Sequence, residues 1–273
     1  MASVGRRLFW IVLWFIAGAL IANMIGAALA LVYGQDFLAS YGNLIVYPLM
    51  FIPAMAYNYK VSRSGKFFPD GMDLDNDNFY PLGFPKAAAT VSLATIACAF
   101  VVEPSVFLLP EMPEFLKKAL DNLLDAPLWV TLVSVSVFAP FFEEWLCRGT
   151  VLRGLLCRMK PAAAIALSAL FFALIHLNPW QGIPAFALGC LFGWVYYKTG
   201  SLKLTMLMHC VNNTMSALLS RVPGLEDAET FMDIFSSNWH YMVVYVAFVI
   251  AIVLCVKLLG QVDEKALRSS ESI

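Results

Sequence analysis

Residues 8–33 read LFWIVLWFIAGALIANMIGAALALVY, a run without a charge from end to end. The apolar core of a secretory signal is only about 7–15 residues long. A helix needs about 20 apolar residues to cross the hydrocarbon of a bilayer. This run is therefore expected to be a retained first span. The rest of the chain agrees: of 273 residues, 60% are apolar and 14% charged, with a mean hydropathy of +0.74. A soluble domain is nearer 45–50% apolar and about 25% charged. That surplus cannot hide in one aqueous core, so the solvent is lipid.

Working outward, eight apolar stretches are long enough to matter: 8–33, 41–58, 86–109, 127–157, 161–178, 182–199, 203–221 and 239–259. The predicted fold is all-α, a polytopic bundle of about eight transmembrane helices with both termini cytoplasmic. Pro48 and Pro53 predict a kink in the second stretch. With the N-terminus inside, only Lys117, Lys118 and Arg221 of the 18 Lys and Arg residues fall on the outer side, a strong positive-inside bias. The proposed outer loops carry Glu111, Glu114, Asp121, Asp125, Glu226, Asp227, Glu229 and Asp233. Three regions follow: 1–126, about three spans with an inner loop at 60–85; 127–221, a core holding the polar motifs; and 222–273, an outer acidic loop, the last span and a cytoplasmic tail.

Several features carry little chemistry. A net charge of −1 gives no basic surplus, so nucleic acid is not an expected partner. The six cysteines, Cys98, Cys147, Cys157, Cys190, Cys210 and Cys255, lie in or beside apolar segments without CxxC spacing and read as small buried hydrophobes. Asp73-x-Asp75-x-Asp77 glances at a calcium loop, but Asn78 stands where glycine is required and Phe84 where the closing glutamate belongs. It reads as a solvated acidic turn. His240, beside Trp239 and Tyr241, reads as an interfacial belt residue.

The informative polar groups lie inside oily segments. They are Glu143-Glu144-x-x-x-Arg148, Phe172-x-x-x-His176 and His209-x-x-x-Asn213. A charge at mid-helix costs about 2.5–3.5 kcal/mol on the insertion scale, so such residues tend to be functional. Glu144 and Arg148, one turn apart, can pair. Glu143 points roughly 100° away from Glu144 and has no neutraliser nearby in sequence, which makes it a candidate general base. The two carboxylates are expected to face different neighbours. Phe172 is placed to pack on His176, and Asn213 shares a face with His209. Taken singly, each histidine could be a helix–helix hydrogen-bonding group, and Glu144–Arg148 an inert staple.

Depth tests the assembly. Glu143 and His176 each lie about 22 Å from the 158–161 turn, whereas His209 lies only about 9 Å past Lys203. Either the 198–203 turn dips inward, or the fourth and fifth helices extend into the cytosol. The second is expected, because Arg153, Arg158 and Lys160 resist burial.

The three motifs, in this order, resemble the signature of the CAAX-processing and bacteriocin-processing (CPBP, or Abi) intramembrane proteases, whose eukaryotic member is the Ras-converting CAAX endopeptidase. The resemblance covers residues 127–221. It implies a helix bundle with a polar cavity open toward the cytoplasm and an intramembrane endopeptidase acting on a membrane-anchored or hydrophobic peptide. It also implies that Glu143 and His176 activate water, that His209 and Asn213 form the other catalytic pair, and that Glu144, Arg148 and Phe172 are supportive. Two mechanisms remain open. In one, Glu143 and His176 polarise a water and His209 with Asn213 hold the oxyanion. In the other, His176, His209 and Glu143 hold zinc, without the HExxH spacing that fixes two ligands on one helix. A non-catalytic membrane scaffold or immunity protein, or a small-solute transporter, would use the same cavity differently. The expected setting is an integral multi-pass protein of a bacterial plasma membrane rather than an endoplasmic reticulum.

Overall fold

The computed structural model describes residues 3–62, 74–224 and 230–262. Asp73, Glu226, Asp227 and Glu229, assigned to loops above, lie outside them. The described residues form nine α-helices and no strand: α1 Ser3–Tyr33, α2 Gln35–Ser62, α3 Gly83–Val102, α4 Glu114–Asp125, α5 Leu128–Leu156, α6 Pro161–Leu174, α7 Pro179–Thr199, α8 Leu202–Leu219 and α9 Asn238–Leu259. Each of the eight apolar stretches contains a helix. Among the described residues, five helical segments, Gly5–Tyr33, Gln35–Lys60, Gly83–Leu108, Leu128–Leu156 and Asn238–Leu259, are long and apolar enough to cross a membrane.

The molecule turns apolar side chains outward, as lipid solvation requires. Phe9, Leu20, Met24 and Leu31 of α1 are well exposed, as are Val246, Ile250 and Leu254 of α9. Patches of this size would not be tolerated against water. Polar groups sit inside instead: Glu144, Arg148, Thr150, Ser168, Thr205 and His209 are all buried.

Small residues let the first two helices pack closely. They are joined at Gly34, whose φ of 90° permits the tight reversal. At Gly18 a side chain is impossible without movement, since a Cβ would lie 2.1 Å from the Met50 carbonyl oxygen. Helix α2 runs unbroken through Pro48 and Pro53. This pair meets α5 through aromatics: Phe15 lies 5.1 Å from Phe51, and Phe51 stacks on Phe142 at 5.2 Å. A second core joins α3, α7, α8 and α9 through Val91, Leu188, Phe192, Met208 and Leu259.

Helix α5 is not a regular α-helix. Residues Leu132–Phe138 and Cys147–Leu152 wind as π-helix. The first stretch runs up to Pro140, which has no amide hydrogen to give. In a π turn the Val135 carbonyl would accept from residue 140. The Asn213 side chain supplies the missing donor, Nδ2 to Val135 O at 2.7 Å, and so ties α8 to α5.

Three expectations are corrected. The stretch 161–178 is not one helix: α6 ends at Leu174, because Leu177 takes a φ of 58° and Asn178 caps α7 by accepting from the Gln181 amide at 2.9 Å. His176 therefore sits in a turn. Glu114, Asp121 and Asp125 lie on helix α4 rather than in an open loop. Arg153, expected in water, is buried.

The turn between α7 and α8 is recessed beneath residues 74–79. Thr199, Ser201 and Leu202 are buried. Asn76 Nδ2 donates to the Thr199 carbonyl at 2.8 Å, and Asp75 accepts from Ser201 Oγ at 3.0 Å and from the Lys203 amide at 3.2 Å. Asp75 and Asp77 also clasp the Lys203 ammonium at 2.9 and 2.8 Å. This acidic turn is neutralised by a lysine rather than simply solvated.

Candidate active site

The polar motifs of α5 and α8 meet at His209. Its two ring nitrogens address two different carboxylates. Nδ1 lies 3.0 Å from Glu144 Oε1, and Nε2 lies 4.0 Å from Glu143 Oε2. Glu143 and Glu144 thus share a neighbour, contrary to the helix-wheel expectation. An imidazole is wide enough to reach both, one on each side of the ring. An ionised carboxylate can only accept, so Nδ1 carries the hydrogen directed at Glu144 and Nε2 is the face left for chemistry.

Glu144 is held in turn by Arg148. The guanidinium donates from Nη1 to Glu144 Oε1 at 2.7 Å, with both side chains wholly buried. Its Nη2 donates to the Gly189 carbonyl at 3.0 Å. The charge lies over the Phe172 ring, 4.5 Å from its centroid, and 5.4 Å from that of Phe192. Gly189 makes this approach possible: a Cβ there would sit 3.1 Å from Ala169 Cβ and 3.2 Å from Phe172 Cδ1. The expected ion pair is present, and it orients His209.

Glu143 is not without a neighbour, as the sequence had suggested. The Tyr47 hydroxyl of α2 donates to its Oε1. Its Oε2 is buried without a hydrogen-bond partner among the described residues. Nothing in the sequence singled out Tyr47, because a tyrosine in an apolar helix is ordinary.

Phe172 packs edge-on against both histidines, 5.1 Å from the His176 ring and 5.5 Å from that of His209. His176 Nδ1 lies 2.8 Å from the Phe172 carbonyl oxygen. A carbonyl only accepts, so Nδ1 is the donor and Nε2 of the neutral ring keeps its lone pair. His176 thus joins the site across Phe172, while the carboxylate–imidazole contact is made by His209. Asn213 lies one turn beyond His209. One Nδ2 hydrogen goes to Val135 O, and its Oδ1 accepts from Asn212 Nδ2 at 3.0 Å, which leaves the second Nδ2 hydrogen to offer.

A zinc ion was tested against these donors. A catalytic zinc takes three protein ligands. Glu143 Oε2 and His209 Nε2 face one another, and the Nδ1 contacts of His209 with Glu144 and of His176 with the Phe172 carbonyl leave both Nε2 atoms free to ligate. Among the described residues no three His, Cys, Asp or Glu side chains group as a metal site. The donor types suit zinc, but as placed they are not gathered around one point. The six cysteines are free thiols.

Residues 125–215 match the family described as Type II CAAX prenyl endopeptidase Rce1-like. This segment, a third of the chain, is similar to the CAAX-protease family. It spans α5 to α8, the elements that carry Glu143, Glu144, Arg148, Phe172, His176, His209 and Asn213. No curated protein and no solved structure matched the chain. The family match supports a CAAX-type intramembrane protease in general, and the apolar helices support an integral, multi-pass membrane protein.

Proposed function

We propose that the protein is an intramembrane endopeptidase that hydrolyses a peptide bond of a membrane-anchored, CAAX-type substrate with a water activated by Glu143. One observation carries this reading. A buried carboxylate oxygen, Glu143 Oε2, has no hydrogen-bond partner among the described residues and faces His209 Nε2 across 4.0 Å. An unpaired buried acceptor beside an imidazole is costly as scaffolding and useful as a base.

In the proposed reaction Glu143 Oε2 takes a proton from water, and the hydroxide adds to the scissile carbonyl carbon. His176, its Nδ1 anchored on Phe172 O, offers Nε2 to the same water. The oxyanion accepts from the unused Asn213 Nδ2 hydrogen and from His209 Nε2 when that nitrogen is protonated. Collapse of the tetrahedral intermediate breaks the C–N bond, and the leaving amine takes the proton held on Glu143. Glu144 and Arg148 keep the His209 ring turned. In this reading the polar cavity faces the cytoplasm and both termini are cytoplasmic.

The test is cleavage of C-terminally lipidated and plain peptides by purified protein in lipid vesicles. Glu143→Gln should abolish turnover while the protein stays monodisperse. Wild-type rates in that variant would refute the catalytic assignment and favour a scaffold.

A further inference from the structure

The Glu143 carboxylate has two oxygens with different surroundings, and the difference originates in α2. Oε1 accepts the Tyr47 hydroxyl, whereas Oε2 is free of hydrogen bonds among the described residues and lies toward His209. The terminal torsion of a glutamate is broad and roughly two-fold. Left alone, the carboxylate would rotate and present either oxygen. A donor on Oε1 stops that rotation.

Tyr47 is itself held. Its ring lies 5.5 Å from Phe51, which stacks on Phe142 at 5.2 Å, immediately before Glu143 in the chain. Ring packing places the hydroxyl, and the hydroxyl places the carboxylate. Helix α2 lies outside the segment that matches the family, so the matched segment alone does not contain this contact.

We infer that Tyr47 is a positioning residue for the hydrolysis, fixing Glu143 by its Oε1 so that Oε2 is the oxygen that takes the proton from water. This rests on the proposed function above. Tyr47 touches neither the water nor the substrate in this scheme. Its effect is on the geometry of the base, and misplacement of a reacting group by about 1 Å can cost 100-fold in rate.

The experiment compares wild type, Tyr47→Phe, Tyr47→Leu and Glu143→Gln in the vesicle assay, with melting temperatures for each. Tyr47→Phe keeps the ring and loses only the donor. It should lower kcat by about 10- to 100-fold, leave KM unchanged and melt a few degrees below wild type, because Glu143 Oε1 loses its donor. Tyr47→Leu should melt lower still because the ring packed on Phe51 is lost, yet have the same kcat per folded molecule as Tyr47→Phe. Wild-type kcat in Tyr47→Phe, with Glu143→Gln inactive, would overturn the inference and leave the proposed function standing. A loss in Tyr47→Phe confined to KM or to melting temperature would also overturn it. Wild-type cleavage by Glu143→Gln would overturn the proposed function and the inference together.

Discussion

Arg148→Met isolates what the buried ion pair contributes. The guanidinium and the Glu144 carboxylate are both fully shielded and 2.7 Å apart. Methionine keeps the length of the apolar stem, so little cavity opens. What is lost is charge. Glu144 is left with His209 alone, and the Gly189 carbonyl loses its donor. Removing one partner of a buried pair typically costs about 3–5 kcal/mol, because the other charge stays behind unpaired. The two charged hydrogen bonds lost, to Glu144 and to the Gly189 carbonyl, are worth about 1.5–3 kcal/mol each, a sum of the same order. Such a loss should lower the melting temperature by roughly 10 °C. Tryptophan fluorescence in detergent micelles would read it, since Trp145 packs in the cores beside this site. The pair is also imperfectly satisfied: Glu144 Oε2 and Arg148 Nε have no hydrogen-bond partner among the described residues. Adding Glu144→Gln to Arg148→Met removes the stranded charge while keeping an acceptor for His209 Nδ1. The double variant should recover more than half of the lost stability. The reasoning fails if Arg148→Met melts within about 2 °C of wild type, or if the double variant is no more stable than the single.

Gly18→Ala should cost about 1–3 kcal/mol by forcing α1 away from α2, because its Cβ would meet the Met50 carbonyl oxygen at 2.1 Å and Pro53 Cδ at 3.0 Å. Gly26→Ala, whose nearest contact would be Val46 Cγ2 at 3.3 Å, is the mild control, and equal melting temperatures for the two would refute the account. Exhaustive chelation should leave peptide cleavage unchanged in the metal-free mechanism. Loss of activity restored by added zinc would replace it with the metal route.

The helices were readable because lipid leaves few choices: an apolar stretch of sufficient length must be helical to satisfy its own backbone. The motifs were readable because charge in such a helix is expensive. What escaped needed distant partners. Helix α4 lies within a connection between spans, where Phe115, Leu116 and Leu120 recur at helical spacing among Lys117, Lys118 and Asp121. A search restricted to fully apolar runs passes over an amphipathic helix. Tyr47 escaped because it is separated from Glu143 by 96 residues, and only packing brings the two together.

The depth of His209 is the instructive case. Counting residues from the last lysine assumed that the α7–α8 turn marks the membrane surface. A turn marks the surface only if water covers it. Here residues 74–79 cover it, supplying through Asn76 and Asp75 the hydrogen bonds that Thr199, Ser201 and the Lys203 amide would otherwise take from water. The Tyr196 hydroxyl adds a bond to the Leu74 carbonyl at 3.1 Å. With its polar groups satisfied by protein, the turn can be covered, and a histidine about 9 Å further on reaches two carboxylates of α5. Of the three basic residues at the end of α5, Arg153 is packed inside the protein while Arg158 and Lys160 are exposed. The short stretch 74–79 thereby pins the start of α8, the helix from which His209 reaches Glu143 and Glu144.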